Sequence, residues 1–437
     1  MRSTLPLSPA AGPQFSPVEP ARLARWLQDS QVATLRCHAD MDGRRWLGPY
    51  LPVVNPPLWE LGHVAWFLER WCLRHPGWPD TPSLMARADA LYDSSRIAHV
   101  ARWYLPLPSP RRTIDYLRTV TDKVSERLAR GDAPEGWQYF VELALYHQDM
   151  HNEAFTYTRQ TLSYANPYAA GAGEWRNEAC AGDVALPGGT LIMGAQGGEG
   201  FFFDNEKWAH EVTVQPFAIS RCVVTAGEFL AFVEDGGYTR REWWDEAGWR
   251  WRVAQGRRHP AYWRRRAAGW ERRAFDRWLP LETELPVVNV NAFEAEAYCR
   301  WAGRRLPSEA EWEFAAAAQP DGGRRRYPWG AAWPQTHQAN LDSGRLAPAG
   351  ALPAGDSAWG CRQMLGNVWE WTASVFRPYP GFAPDPYTDY SQPWFGSHRV
   401  LRGGSFATTA RLARNAFRNF YTPDRYDIFA GFRTCAP

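Results

Sequence analysis

The stretch that most limits the fold of this chain runs from Trp137 to Tyr164 and contains neither proline nor glycine. Such a run can form one long helix, because nothing in it interrupts the hydrogen-bond ladder. His147 and His151 are four residues apart, so both imidazoles lie on one helical face, one turn from each other. That face is mostly apolar and includes Phe140, Ala144, Ala154 and Phe155, with Thr158 a turn further along. The pair is therefore either half of a transition-metal site or two core histidines satisfied by their neighbours.

A third imidazole, His63, lies in a separate predicted helix of the same half of the chain. If it faced the pair, the three histidines would leave the other coordination positions of a metal open. Zinc accepts such a set, whereas iron(II) with open positions suits oxygen chemistry; an unrelated helix histidine is the alternative. On a helical wheel, Asp149 lies about 180° and Glu153 about 140° from the middle of the histidine pair. We therefore expect these two carboxylates at the surface rather than on a metal.

Composition limits the classes of partner and the compartment. The 437 residues allow two or three domains, and 49 basic against 47 acidic residues give a formal charge of +2. No strong field favours nucleic acid or an anionic membrane, so neither is expected as a partner. The 25 tryptophans predict loop-rich structure pinned by aromatic side chains, which also offer stacking surfaces for ligands. The N-terminus has no signal-peptide core and no apolar run approaches about 18 residues, so we expect a cytoplasmic protein without a membrane span.

The cysteines indicate neither a zinc ribbon nor a disulfide framework, because their number is odd and none forms a CxxC pair. They are Cys37, Cys72, Cys180, Cys222, Cys299, Cys361 and Cys435.

Helical periodicity predicts a four-helix bundle in the first part of the chain, and bundle cores commonly house metal sites. The helices are Ala21–Ala39, Leu58–Arg74, Arg112–Arg130 and the run that begins at Trp137. We place a flexible N-terminus at 1–19, the bundle at 20–165, a glycine- and alanine-rich linker at 166–182 and a second domain at 183–437.

The second domain changes character, so the fold class is α+β. Short β-like pieces alternate with loops rich in glycine, proline and tryptophan: Gly189–Met193, His210–Val214 and Phe217–Ser220. Helices are expected at Thr225–Glu234 and at Ala292–Ala302 behind Asn291, and another begins at Ser308, whose capping-box partner is Glu311. We expect little regular structure in the remainder.

Several motifs now resemble one family over nearly the whole chain. The stretch 55–63 (NPPLWELGH), followed by His147, His151 and Glu153, resembles the DinB-like domain of ergothioneine-type synthases. The second half resembles the formylglycine-generating-enzyme (sulfatase-modifying factor) fold, which is C-type-lectin-like and is fused to that domain in the family. Its matching stretches are 303–313 (GRRLPSEAEWE), 366–372 (GNVWEWT), 400–406 (VLRGGSF) and 430–433 (AGFR).

The resemblance implies a chemistry and a set of site residues. His63, His147 and His151 would hold a mononuclear non-haem iron(II), and the family uses O2 to join sulfur or selenium to the imidazole carbon of hercynine, Nα-trimethylated histidine. A tyrosine of the second half serves as proton donor in the family, so Tyr387 and Tyr390 are the candidates. The segment that surrounds the quaternary ammonium of hercynine corresponds to Asn419 and Phe420.

Three positions depart from the pattern of synthases that use γ-glutamylcysteine. Tyr421 stands where those enzymes carry an acidic residue for the substrate ammonium. The loop that carries their carboxylate-binding arginines keeps Arg102 here but has lost most of the others. Met150 replaces the glutamine before the second helix histidine, and we expect Tyr421, Arg102 and Met150 to contact the substrate together with Asn419 and Phe420. A charged dipeptide would lack partners in such a site, whereas an uncharged, aromatic-lined pocket fits a sugar.

These departures resemble the selenoneine synthase branch, which joins hercynine to a selenosugar, 1-seleno-glucose. We therefore expect oxidative C–Se bond formation. The alternatives are an ergothioneine-type sulfoxide synthase that uses γ-glutamylcysteine or cysteine, and a non-catalytic metal- or ligand-binding protein. Formylglycine generation is not expected, because it needs a copper-binding cysteine pair and the corresponding region offers only Cys435.

Overall fold

The computed structural model describes residues 18–75, 81–168 and 175–437, which form two compact units. The first unit contains the chain up to Leu162 and two later segments, Gln196–Asp204 and Ala383–Pro393. The second unit contains the rest.

The domain ranges predicted from the sequence, 20–165 and 183–437, are continuous, whereas the first unit also contains these two segments of the second range. Both segments belong to the first unit by their contacts, which the order of the chain does not indicate. Nearly all of the predicted flexible N-terminus, and the glycine-rich part of the predicted linker, lie outside the described residues.

The first unit is the predicted helical bundle. In it, α1 and α2 each pack against both α4 and α5, while the short α3 packs against α2. Pro57 and Pro110 occupy the first positions of their helices, where the missing N–H costs nothing. The helices are α1 (Pro20–Arg36), α2 (Pro57–Cys72), α3 (Ala88–Tyr92), α4 (Pro110–Arg130) and α5 (Trp137–Thr161).

Helix α5 is the centre of this unit, and it is buried on almost every side. The expectation that Asp149 and Glu153 lie at the surface is therefore wrong, since both side chains are buried. The face opposite the histidines packs against α1, where the Ser30 hydroxyl donates to Asp149 Oδ1 at 2.8 Å. A helix that is polar on two faces can still be fully enclosed when its neighbour supplies hydrogen-bond partners.

The second unit is a mixed α and β structure, as the α+β prediction requires. Its first half contains β1 (Asp183–Leu186), β2 (Gly189–Met193), β3 (His210–Val214), β4 (Phe217–Ser220), α6 (Ala226–Glu234), α7 (Glu246–Ala254), β5 (Trp263–Arg266), β6 (Gly269–Ala274) and β7 (Arg277–Pro280). Its second half contains α8 (Ala292–Trp301), α9 (Glu309–Ala317), β8 (Trp369–Val375), β9 (Arg399–Arg402), β10 (Asn419–Tyr421) and β11 (Ala430–Gly431). The three predicted strands, the helix start at Asn291 and the capping box at Ser308 are confirmed, and Asn291 forms a capping box as well.

Four small sheets organise these strands, with long loops between them. The largest has the order β10-β9-β8-β11, and the others are the pairs β1-β4 and β2-β3 and the meander β5-β6-β7. The prediction of little regular structure beyond α9 is confirmed, since β8 to β11 are short and are separated by long loops.

One disulfide corrects the interpretation of the cysteines. Cys180 and Cys222 are bonded, with a Cα–Cα distance of 6.0 Å, and the other five cysteines are free and buried. The sequence showed no framework because a single pair 42 residues apart has no spacing signature. Among the described residues, no helix combines the length and apolar character needed to cross a bilayer.

Candidate metal centre

Three histidines of the first unit converge at one point between α2 and α5. One nitrogen from each of His63, His147 and His151 lies within 4.8 Å of the others. The ring centroids of His63 are 5.2 Å from His147 and 5.1 Å from His151. His63 and His147 are buried, whereas the His151 side chain is 19% exposed, so solvent reaches the group from the His151 side. The structure thus brings together the three residues predicted as ligands.

Hydrogen bonds orient two of the three rings. His63 Nδ1 lies 2.8 Å from the carbonyl oxygen of Tyr92, which can only accept, so this nitrogen carries the proton. His151 Nδ1 lies 2.6 Å from Oε1 of Glu60, a buried residue one turn before His63 on α2. In the neutral tautomer that these bonds favour, each ring leaves Nε2 free for a metal, the usual arrangement of metal-bound histidines.

The third ring, His147, is held by stacking instead of by a hydrogen bond. It lies parallel to Phe67, with 3.6 Å between ring centroids. Its Nδ1 is buried and has no hydrogen-bond partner among the described residues. Burial, followed by the neighbouring His151, lowers the pKa of both His63 and His147 well below the ordinary value. Neutral imidazoles with free nitrogens fit a transition-metal ion.

A glycine allows α2 to bring His63 to its partner carbonyl. A Cβ at Gly62 would come within 2.2 Å of the Tyr92 ring, so only glycine permits this approach of α2 to Tyr92. Trp59 also binds the same segment, since its indole N–H donates to the Leu91 carbonyl at 2.7 Å. The end of α3 is therefore fixed against α2 at the histidine group.

The segment 383–393 carries the first tyrosine candidate into the first unit. The ring of Tyr387 lies edge-on to His147, 6.1 Å between centroids, and contacts Phe67 at 5.0 Å. Burial raises the pKa of Tyr387, the carboxylates of Asp389 and Asp93 raise it further, and a hydrogen bond with Ser94 opposes them. The phenol is protonated at neutral pH and can donate a proton beside the histidines.

Three carboxylates anchor this segment to the rest of the first unit. Tyr139 donates to Asp385 Oδ2 at 2.8 Å, and Ser95 donates to Asp389 Oδ2 at 2.5 Å. Ser391 donates to Asp204 of the other inserted segment. Residues on both sides of Tyr387 are therefore tied down, which limits where its phenol can go.

The second tyrosine candidate, Tyr390, has different surroundings. Its hydroxyl lies 3.5 Å from the sulfur of Met150, and its ring stacks on Phe203 with 4.3 Å between centroids. Its ring is 6.2 Å from that of Tyr387. Met150, predicted as a substrate contact, thus accepts a hydrogen bond from Tyr390, which lies three residues after Tyr387 in the chain.

The remaining predicted contacts separate into two groups. Arg102 belongs to the first unit, where its guanidinium lies 4.0 Å from the Trp59 ring centroid and donates to Asn55 Oδ1 at 2.6 Å. Trp59 in turn stacks on His63, with 5.1 Å between centroids. The others, Asn419, Phe420 and Tyr421, form β10 of the second unit, and their part in a site stays a prediction.

Sequence reasoning missed four residues that shape this centre: Glu60, Phe67, Tyr92 and Ser94. Glu60 and Phe67 carried a signal, since they lie three residues before and four residues after His63 and so on the same face of α2. The other two contact His63 or Tyr387 through the packing of the unit, which no local pattern records.

Comparison with known proteins identifies the family. The sulfatase-modifying factor enzyme 1-like domain family matches residues 169–436. The hercynine oxygenase of Mycolicibacterium thermoresistibile is 41% identical over 426 residues, which cover 94% of this chain and 94% of that protein. The chain belongs to the hercynine oxygenase family. The member from Mycobacterium tuberculosis is also 41% identical, over 95% of this chain and 98% of that protein.

The second half also has relatives of another activity. The formylglycine-generating enzyme of Streptomyces coelicolor is 35% identical over 324 residues, which cover 63% of this chain and 96% of that protein. As a hercynine oxygenase family member, the chain is an enzyme of oxidative chemistry with a sulfatase-modifying-factor-like domain.

Proposed function

We propose that the chain is an iron(II)- and O2-dependent enzyme that forms a C–Se bond between hercynine and a selenosugar, 1-seleno-glucose. The observation that carries the proposal is the group of three converging imidazoles beside the protonated phenol of Tyr387. The family supports hercynine as one substrate, since relatives that match almost the whole chain are named for it.

In this proposal His63, His147 and His151 hold the metal through three neutral nitrogens. Iron(II) bound there would activate O2, with hercynine and the selenosugar as the source of the electrons, and three protein ligands leave positions for substrates. Glu60 and the Tyr92 carbonyl keep two of the rings in the metal-binding tautomer. Phe67, Trp59 and Phe155 contact the rings and shield their other sides from bulk water, which reaches the group only past His151.

Tyr387 is the proposed proton donor. Its raised pKa keeps the proton on the phenol at neutral pH, and its neighbour Ser94 fixes the hydroxyl through a hydrogen bond. Tyr390 is the weaker candidate, because its hydroxyl is engaged with Met150. A proton delivered at the moment of reaction lowers the barrier without a permanent charge in a buried site.

We assign recognition of the quaternary ammonium of hercynine to Asn419 and Phe420. A trimethylammonium group cannot donate hydrogen bonds and is bound by aromatic faces and carbonyl oxygens. Phe420 offers an aromatic ring that stacks on Phe376 at 4.1 Å between centroids, which gives it a fixed orientation.

The donor is proposed to be an uncharged sugar because Tyr421 stands where the γ-glutamylcysteine-using synthases that the sequence resembles carry an acidic residue, and because most arginines of their carboxylate-binding loop are missing here. Arg102, which is kept, donates to Asn55 Oδ1 at 2.6 Å and lies 4.0 Å from the ring centroid of Trp59. The carboxylates and ammonium of γ-glutamylcysteine would lose their hydration without gaining partners, which costs several kcal/mol. A neutral sugar avoids this cost and stacks on aromatic rings.

Aerobic incubation with iron(II), hercynine and one donor at a time, read by mass spectrometry, tests the proposal. We expect a selenium-containing hercynine product from 1-seleno-glucose, much less product from γ-glutamylcysteine or cysteine, and none with His147→Ala. Product from a thiol alone would overturn the donor assignment and leave a sulfoxide synthase. Absence of hercynine-dependent O2 uptake with every donor, in iron-loaded protein, would instead indicate a non-catalytic metal- or ligand-binding protein.

A further inference from the structure

A cavity in the second unit has the only disulfide of the described chain in its wall. It is open to solvent, with a volume of about 580 Å³. The stretch 177–183 forms one side, and residues 222–225, with Ala349, form another. Cys180 and Cys222 both line it, so the disulfide is accessible to a small molecule in this space.

The other cysteines are not comparable, because all five are buried. Burial raises the pKa of the Cys37 and Cys361 thiols to about 11 and that of Cys435 to about 12, and it raises those of Cys72 and Cys299 as well. Thiols of this kind are inert, since the thiolate is the reactive form. Sulfur chemistry of the folded protein is therefore confined to the cavity.

The two sulfurs of the pair differ in access. Cys180 is half-buried and packs against a small apolar cluster, whereas Cys222 is only 9% exposed and belongs to that cluster with Val223, Ala349 and Val368. A nucleophile that enters from the cavity reaches Cys180 first. Thiol–disulfide exchange depends on which sulfur is accessible, so Cys180 is the point of attack and Cys222 the leaving group.

The structure also accommodates the reduced state. Sγ of Cys222 lies 3.2 Å from the carbonyl oxygen of Ala349. A disulfide sulfur has no proton to donate, whereas the thiol formed by reduction would find this acceptor in place. Apart from the disulfide, the Gly182 carbonyl accepts from Arg221 N at 2.9 Å and Glu178 N donates to the Gly350 carbonyl at 3.4 Å. The stretch that carries Cys180 thus stays attached when the S–S bond opens.

The charge of the cavity selects among thiols. Its wall contains four carboxylates and one guanidinium, and Arg304 is already paired with Asp183 at 2.6 Å. Glu178, Glu228 and Glu284 remain, with Arg362 3.8 Å from Glu178. A negative wall disfavours anionic thiols relative to neutral or cationic ones.

We propose that Cys180–Cys222 is a thiol–disulfide exchange site for small neutral or cationic thiols that enter this cavity. The thiolate of the small molecule attacks Sγ of Cys180, the Cys180–Cys222 bond breaks, and the Cys222 thiolate leaves and takes a proton from water. The product is a mixed disulfide on Cys180. In the reverse step the Cys222 thiolate attacks that bond and releases the small thiolate, so no other oxidant or reductant is needed. This site is independent of the proposed function of the histidine centre.

Exchange in the folded protein is measured by treatment with cysteamine, quenching with N-ethylmaleimide and peptide mapping. We expect cysteamine on Cys180 and maleimide on Cys222, with the five buried cysteines unmodified. Cys222→Ser leaves Cys180 as a free thiol that forms a mixed disulfide with cystamine. The matched variant Cys180→Ser leaves the buried Cys222, which we expect to react at least about tenfold more slowly. Cysteamine on Cys222, equal rates for the two variants, or reduction only in denaturant would overturn the proposal.

The charge selectivity has its own measurement. At equal thiolate concentration, mercaptoethanol should react about three- to tenfold faster than mercaptopropionate, and added salt should reduce this ratio. Glu178→Gln should lower the ratio by about twofold, while Glu246→Gln, a change at an exposed α7 residue outside the cavity wall, should leave it unchanged. A ratio of one in the wild type would contradict the role assigned to the carboxylates.

Discussion

At the scale of single residues, Glu60 has the clearest effect on the histidine centre. It is 2% exposed and accepts from His151 at 2.6 Å, so it keeps that ring in one tautomer and one orientation. We expect Glu60→Gln to weaken iron(II) binding by about 10- to 100-fold, because an amide holds the imidazole less firmly and leaves it less basic. Titration of the metal-free protein with iron(II) under anaerobic conditions measures this change.

Asp149→Asn is the matched control for Glu60. It also replaces a buried carboxylate in the helical unit, but its partner is Ser30 and it contacts none of the three histidines through the bonds described. Iron affinity should stay within about threefold of the wild type in this variant. Equal losses in the two variants would mean that the effect comes from general destabilisation.

Tyr387 should affect turnover and not metal binding. Tyr387→Phe keeps the ring contacts with Phe67 and His147 but removes the proton. We expect hercynine-dependent product formation to fall by about 10²- to 10⁴-fold, while iron content per chain is unchanged. The comparison is Tyr390→Phe, which we expect to lose less, since its hydroxyl contacts Met150. A larger loss of product formation in Tyr390→Phe would mean that Tyr390, and not Tyr387, is the proton donor.

At the scale of elements, α5 combines the histidine pair with a buried acid at its other end. Glu142 is fully buried, its Oε1 accepts from Val18 N at 3.0 Å, and its Oε2 has no hydrogen-bond partner among the described residues. Burial raises the pKa of this carboxyl from 4.5 to about 7. The folded state therefore favours the protonated form, which makes the stability of the helical unit depend on pH.

The direction follows from the raised pKa of Glu142. The contribution of Glu142 to the free energy of unfolding is fully present below pH 4.5 and is lost as the pH rises toward about 7. Glu142→Gln does not titrate, so its advantage in Tm over the wild type should grow between pH 4.5 and pH 8. The growth should correspond to about 1–3 kcal/mol, or several degrees. Thermal unfolding at several pH values measures it, and a constant difference would contradict the assignment.

Helix α2 contributes three residues with different roles to the histidine centre. It supplies Glu60 and His63, while Gly62 between them lets Tyr92 approach closely enough to accept from His63. Glycine inside a helix costs about 1 kcal/mol relative to alanine. Gly62 permits the close approach of Tyr92 to α2, which explains why a glycine stands here in spite of this cost.

At the scale of the whole molecule, metal binding should be linked to stability. A ligand that binds only the folded state stabilises it by mass action, and the three histidines converge only when α2 and α5 are packed together. Iron(II) at 100 times its dissociation constant should add about 2.7 kcal/mol to the folding of the helical unit. We expect the Tm to rise on anaerobic addition of iron(II) in the wild type and not in His147→Ala.

The same experiment separates the two units. Chelation should lower only the transition that unfolds the helical unit, because none of the three histidines belongs to the second unit. Calorimetry measures the Tm of each transition. An equal shift of Tm in every transition on chelation would contradict this expectation.

Local signals account for what could be predicted from the sequence. The spacing of His147 and His151 and the run without proline or glycine predicted α5, and the capping residues predicted the starts of α8 and α9. These signals act over three or four residues, so they can be read without knowing the fold. The motifs added the family and, through it, the third histidine and the tyrosines.

Only the tertiary structure decided which distant residues meet. Glu60 and His151 are 91 residues apart, and Tyr139 and Asp385 are 246 apart, so no periodicity links them. The same is true of the Cys180–Cys222 disulfide and of Asp149, whose burial depends on α1 covering its face of α5. By itself, the sequence determined the helices, their caps and the histidine spacing, since these depend on neighbours along the chain. Packing decided the orientation of the histidine rings and the residues that contact Tyr387, because both depend on contacts that exist only once the chain has folded.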